Sequence, residues 1–205
     1  GLMGRLLETW QAGLDNVSIG HRKWLRDDHD VPMFAASTHS SAAAWGVHRA
    51  QVDDDGFWAP AEDGIGVVVL ATNRYADDRI EDLLAFQPMT PDKWWLLRCQ
   101  AEWLGGHELG TRWCGRPSYF ARPIITQHCK RTDDPLHVYE NPLQFLQNNC
   151  DGAVPLTRQA HTDLTDVKAP LTFASRKHMA LSRKYMQNPV PMPVMSVRQA
   201  EMPNE

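Results

Sequence analysis

Apolar positions at the start of the chain follow a helical period. Leu6, Leu7, Trp10, Leu14 and Val17, then Trp24 and Leu25 after Gly20, recur every three to four residues, which predicts a helix over residues 5–26 or two helices broken at Gly20. Asp27-Asp28-His29-Asp30 ends this pattern, and the Ala-, Ser- and Thr-rich residues 32–41 read as an exposed connection. The period then changes to two. Strands are predicted over 45–52, at Phe57-Trp58, and over 65–71, 80–86 and 93–98. Asp53-Asp54-Asp55-Gly56, residues 73–78, and Pro88 with Pro91 supply the turns, and connections this short favour a three- or four-stranded antiparallel meander. The unbroken run Leu83-Leu84-Ala85-Phe86 marks a central strand covered on both faces, one of them by the first helix.

From 105 to 135 the pattern dissolves into Gly-Gly, Cys-Gly-Arg-Pro, Arg-Pro and Asp-Asp-Pro, so this stretch reads as a long irregular insertion. A strand is predicted over 136–139, and a short helix follows it with Asn141 as N-cap and Pro142 in its first turn. That helix buries Leu143, Phe145 and Leu146, Asp151-Gly152 closes it, and a second strand over 153–156 completes a strand, helix, strand unit. Ser175 is placed to cap a last helix over 176–187, beyond which the Pro-rich residues 188–205 form an extended tail. The expected architecture is therefore α+β: an antiparallel meander with an N-terminal helix, the short strand-helix-strand unit and a C-terminal helix, in one domain over 1–187.

Composition changes this picture little. The 205 residues are 42% hydrophobic and 22% charged, which excludes a wholly disordered chain, and the eight Trp are expected mainly to anchor the core. A net charge of −4 gives no overall attraction for nucleic acid, so any such binding must come from a local patch. The longest apolar run, residues 65–71, is strand-sized, so no membrane partner is expected. Arg5, Glu8 and Asp15 interrupt any leader-like segment, and four scattered cysteines suit a reducing cytoplasm.

Three groups of residues carry candidate chemistry. The basic and aromatic set is Arg112, Trp113, Arg116, Tyr119, Phe120, Arg122, Lys130 and Arg131, joined by Arg176, Lys177, Arg183, Lys184 and Tyr185 on the last helix. Guanidinium and ammonium groups neutralise phosphates while rings stack on bases, although a charged helix face is more often simply solvated. The second set, His107, Cys114, His128 and Cys129, with His137 beside them and Cys99 and Cys150 flanking, has the donor types that hold zinc, but it lacks the paired spacing of a zinc knuckle, and buried thiols with surface imidazoles explain it as well. The third is acidic: Asp53, Asp54 and Asp55 with Asp77, Asp78, Glu81 and Asp82, which suits a divalent cation or, more simply, solvated turns. His107-Glu108 lacks the second histidine of a zinc-protease helix, and there is no Gly-x-Ser-x-Gly elbow or Walker loop.

The order of Ile65-Gly-Val-Val-Val-Leu, Ile80-Glu-Asp-Leu-Leu-Ala-Phe, Trp94-Trp95, Glu102-Trp103-Leu104-Gly105, Pro135-Leu-His-Val-Tyr and Cys150-Asp-Gly-Ala-Val resembles that of a family of uncharacterised proteins encoded in bacterial prophages and mobile elements. The likeness spans about a third of the chain as a pattern of hydrophobic and turn residues; it implies a mobile-element setting and transfers no functional residue. The stretch 110–134 departs from the family's shorter connection. The first expectation is accordingly an accessory protein that binds nucleic acid or a nucleoprotein partner through the basic and aromatic residues. The alternatives are a metal-dependent hydrolase or nuclease using the Cys/His or carboxylate group, and a structural module whose tail docks on another protein.

Overall fold

The computed structural model describes residues 2–36, 45–74, 80–98, 112–114, 135–156, 158–167 and 169–187. The fold is α+β, with a mostly antiparallel sheet, an N-terminal helical pair and a C-terminal helix. The predicted helix over 5–26 is two helices, α1 (Leu2–Asp15) and α2 (Ile19–His29), and the break falls before Gly20. Ser18 places it there. Its hydroxyl accepts from the His21 backbone N–H (3.2 Å) while its own N–H donates to His21 Nδ1 (3.0 Å), a reciprocal cap that starts α2 and leaves Gly20 inside the first turn. Asp30, in the left-handed region at φ 56°, ends α2 by donating its N–H to Leu25 O. The stretch expected to be an exposed connection instead opens with a one-turn helix, α3 (Met33–Ala36), whose Ala35 and Ala36 are buried; residues 37–41 lie outside the described residues.

Strands β1 (Gly46–Val52), β2 (Phe57–Pro60), β3 (Ile65–Arg74), β4 (Ile80–Phe86) and β5 (Trp94–Leu97) follow the expected alternation closely. The meander holds for β3, β4 and β5, which are consecutive antiparallel neighbours. The rest differs: β2 pairs with β5 in parallel, and β1 pairs with β3 as well as with β2, so the five strands close into a ring β1-β2-β5-β4-β3. Closure leaves no free edge along most of the sheet. β3 is long enough to hold β1 through Ile65–Val69 and a further strand, β6 (Arg112–Cys114), through Thr72–Arg74 on the same edge. Within the expected irregular insertion, then, residues 112–114 form a strand.

Alternate residues of the ring feed two cores. On one face Ala50, Trp58, Val67, Val69, Ala71, Leu83, Ala85, Trp95 and Leu97 pack with Leu6 and Trp10 of α1. On the other, Val47, Val68, Leu70, Leu84, Phe86 and Leu96 pack with α2, α3 and α4 (Pro142–Gln147). β4 is therefore covered on both faces, and α1 supplies one cover. Buried Trp side chains do anchor both cores, and their polar ends are satisfied: Trp45 Nε1 donates to Ala35 O and Trp58 Nε1 to Leu83 O, each at 2.9 Å. α1 lies directly on β1 because Gly13 and Gly46 meet; a Cβ at Gly46 would stand 2.6 Å from the Gly13 carbonyl carbon.

β7 (Leu136–Val138) and α4 follow the strand-helix pattern as expected. Asn141 caps α4 through its Oδ1, which accepts from Gln144 N at 2.9 Å, and Pro142 sits in the first turn. The second strand of that unit is short, β8 (Val154–Pro155), and it extends the large sheet by pairing with β6, while Val138 bridges Ala153 in parallel. Gly152 makes this approach feasible: at φ 138°, its Cβ position lies 2.3 Å from His137 O. The remaining elements, unforeseen apart from the last, form a C-terminal lobe: α5 (Arg158–Asp163), a 3-10 turn Leu164–Asp166, β9 (Leu171–Phe173) parallel to β7, and α6 (Arg176–Gln187). Its small core is Leu136, Val138, Ala153, Ala160 and Leu164. Residues 188–205, read as a tail, lie outside the described residues.

Candidate nucleic-acid interface

The helix α6 begins where its sequence indicates. Ser175 Oγ accepts from His178 N at 3.1 Å and donates to the Glu140 carboxylate, so one hydroxyl caps the helix and ties it to the turn before α4. His178 and Ser182, four residues apart, are buried on the inner side. At about 100° per residue, Arg176, Arg183, Lys184 and Lys177 fall within an arc of about 120° on the outer side. All four are exposed, and the helix contains no Asp or Glu. Alongside, the exposed Arg158 of α5 sits over the Tyr185 ring at 5.1 Å, adding a fifth cation and an aromatic surface.

Beneath this face lies a cluster of rings that bears on how firmly α6 is held. His161 of α5 stands edge-on to His178 (5.6 Å) and to Tyr185 (5.4 Å), and His178 stands edge-on to Phe173 of β9 (5.5 Å). His161 Nδ1 lies 3.1 Å from Ser182 Oγ, while His178 Nδ1 is buried without a hydrogen-bond partner. Burial, reinforced by the neighbouring His178, pushes His161 down to about 4. Burial also lowers His178, partly offset by the Glu140 charge. Both imidazoles are thus neutral near pH 7. The pairing of Ser182 with His161 has the residue types of a nucleophile and its base, but Ser182 has no exposed surface, so the pair packs and does not meet a substrate. Sequence reading missed His161, His178 and Ser182; the available signal was the 178-182-186 stripe within an otherwise basic helix.

The other predicted residues fare differently. Arg112, Trp113 and Cys114 form β6, which pairs with β3 and β8, so the first part of the basic set begins on a strand and not in a loop. Arg116, Tyr119, Phe120, Arg122, Lys130 and Arg131 lie outside the described residues, as do His107, His128 and Cys129 of the zinc set. Among the described residues no three His, Cys, Asp or Glu side chains converge as metal ligands, and Cys150 is a buried thiol in no disulfide. The acidic group divides. Asp53 shapes its own hairpin turn, its Oδ1 accepting from Asp55 N (2.9 Å) and Phe57 N (3.1 Å) while the carboxylate pairs with Arg98. Asp82 is fully buried, with Oδ1 accepting from Leu83 N (2.8 Å) and Leu97 N (3.1 Å), next to the equally buried Thr72 in register on β3. Each carboxylate serves backbone amides, and the residues they hold at the end of β5, Arg98 for Asp53 and Leu97 for Asp82, are consecutive. Asp77 and Asp78 lie outside the described residues.

No helix among the described residues is long and apolar enough to cross a membrane. Compared with protein-family models, with curated proteins and with solved structures, the chain matches none.

Proposed function

We propose that this chain is an accessory protein of a phage or mobile element that binds nucleic acid through the outer face of α6 and the adjoining Arg158. The observation that carries the reading is the arrangement of Arg176, Lys177, Arg183 and Lys184 on one exposed side of a helix that has no acidic residue, in a protein whose net charge is −4. Charge concentrated in this way against an acidic background is a local field, and phosphate is the ligand such a field selects. The mobile-element setting rests on the sequence resemblance alone. The Arg-rich residues 112–131 extend the same chemistry in sequence.

Binding of single- and double-stranded DNA and RNA, measured across a salt series, tests this reading. Four phosphate contacts give a log-log salt slope of about −3 on single strands and about −4 on duplex. Replacing Arg183 and Lys184 together by Ala should reduce that slope by about 1.5–2 while leaving the melting temperature unchanged. Undetectable binding at low salt, or a slope indifferent to this double substitution, would refute the proposal.

A further inference from the structure

A cleft of about 1020 Å³ opens between the elbow joining α1 to α2 and the paired strands β1 and β3. Part of its floor is a glycine. Gly66 of β3 is the register partner of Arg49 on β1, and a Cβ at Gly66 would meet nothing within 4 Å, so the absence of a side chain there leaves open space opposite an arginine. The volume is at the upper end for small-molecule sites and several times what a bare phosphate fills.

The lining gathers unlike groups from three segments. Arg49 is exposed; its Nε donates to Gly64 O at 3.1 Å, which fixes the guanidinium plane, and no carboxylate pairs with it among the described residues. His21 accepts the Ser18 N–H at Nδ1, so the neutral ring carries its hydrogen on Nε2 and offers a donor. Trp24, half-buried, borders the same space with Val47, its ring edge-on to His29 at 5.0 Å. Glu62 is the acid of the lining, and it forms no ion pair with Arg49.

The geometry points to a nucleotide site: phosphate held by Arg49 and His21, with the base against Trp24 and Val47. A forked cation and a neutral N–H donor recognise phosphate oxygens, and an indole recognises the flat face of a base. A simple anion would leave the aromatic wall unused, and an uncharged ring would leave Arg49 unused. A carboxylate accepts from exocyclic amino groups, so Glu62 would favour adenine, cytosine and guanine over uracil. The nucleotide is either free or the end of a single strand, since both present the same base and phosphate. No residue of this cleft lies on α6, so the inference stands apart from the interface proposed above.

Calorimetric titration of the full chain with AMP, UMP and inorganic phosphate at low salt tests it. The expected result is one saturable site that prefers AMP to UMP and both to phosphate. Arg49→Ala should weaken AMP binding about tenfold or more. Gly66→Ile, which fills the floor with a residue suited to a strand, should abolish it, and Arg183→Ala with Lys184→Ala should leave it unchanged. Thermal melting is followed for each variant, and Gly66→Val, which also projects beyond Cβ, serves as the milder substitution if Gly66→Ile unfolds. Competition by a short single-stranded deoxyadenosine oligomer identifies a strand end as the ligand, and AMP binding without such competition identifies the free nucleotide; either supports the site. The inference is overturned if neither AMP nor the oligomer saturates the chain, if phosphate binds as tightly as AMP, or if a folded Gly66 variant that fills the floor keeps wild-type affinity.

Discussion

The ring of β1 to β5 and the C-terminal lobe are held together by different materials. In the ring, both cores are built from aliphatic and aromatic side chains, with Trp45 and Trp58 donating to backbone carbonyls inside them. In the lobe, five small-to-medium apolar residues form the core, and α6 seats itself through His178, Ser182 and their contacts with His161. Apolar burial is indifferent to pH, whereas burial of an imidazole is favourable only while that imidazole is neutral. The lobe that carries the exposed cations is therefore also the part whose packing depends on neutral imidazoles, whereas the titratable group buried in the ring is the Asp82 carboxylate, held by Leu83 N and Leu97 N.

The largest effect expected from a single substitution belongs to the ring. Trp58→Ala removes a fully buried indole and leaves Leu83 O without its donor, and should cost about 3–5 kcal/mol. Urea unfolding should register that loss as a lowered midpoint for the whole chain; a variant that unfolds only its C-terminal lobe would contradict the division drawn here. Acidification comes next and acts on the lobe. His161 titrates at about 4 when folded, below its ordinary value of 6.5, so between these values the unfolded chain binds more protons than the folded one. Stability from this group is complete above pH 6.5 and falls as the pH drops towards 4, by on the order of 3 kcal/mol. His178 adds in the same direction. Hydrogen exchange at pH 7 and pH 4.5 checks this: amides of α5 and α6 should lose protection on acidification ahead of those of β3 and β4. Equal loss in both regions would erase the distinction.

Local chemistry was legible where it was strong and short in range. Ser175 and Asn141 announce their helices because a side-chain acceptor three residues before an orphan N–H is a local event. The alternation of β1 to β5 was equally plain, as was the doubly covered run Leu83 to Phe86. The α1–α2 break was misplaced because Gly20 draws attention, while Ser18 with His21 supplies the stronger signal through an unusual capping partner. Ring closure was invisible because β1–β3 and the parallel β2–β5 contact join residues far apart in sequence. β6 escaped because three residues flanked by Gly and Pro carry no period; pairing with β3 and β8 makes it a strand. The exposed face of α6 could be read directly from residue spacing. The cleft and the histidine cluster could not, since Trp24 with Arg49, and His161 with His178, come from separate elements that only the fold brings together.

The two helix caps sharpen the comparison at the smallest scale. Asn141 works for the ring: Oδ1 caps α4, whose Leu143, Phe145 and Leu146 pack on the sheet, and Nδ2 donates to Asp92 Oδ1 in the β4–β5 connection at 2.9 Å. Asn141→Ala loses both bonds and should lower global stability by about 1–2 kcal/mol, seen in the urea midpoint. Asn141→Asp keeps the cap but sets a carboxylate against Asp92, and should recover only part of the loss. Ser175 works for the lobe, capping α6 and bonding Glu140. Its replacement by Ala should cost about 1 kcal/mol, and the cost should fall on α6 alone. If the lobe opens separately from the ring, Ser175→Ala speeds exchange of α6 amides without moving the global midpoint, because the state that dominates global unfolding has already lost that cap. A shift of the midpoint equal to the local loss would instead show that the ring and lobe unfold as one unit, and the contrast between their cores would then have no thermodynamic expression.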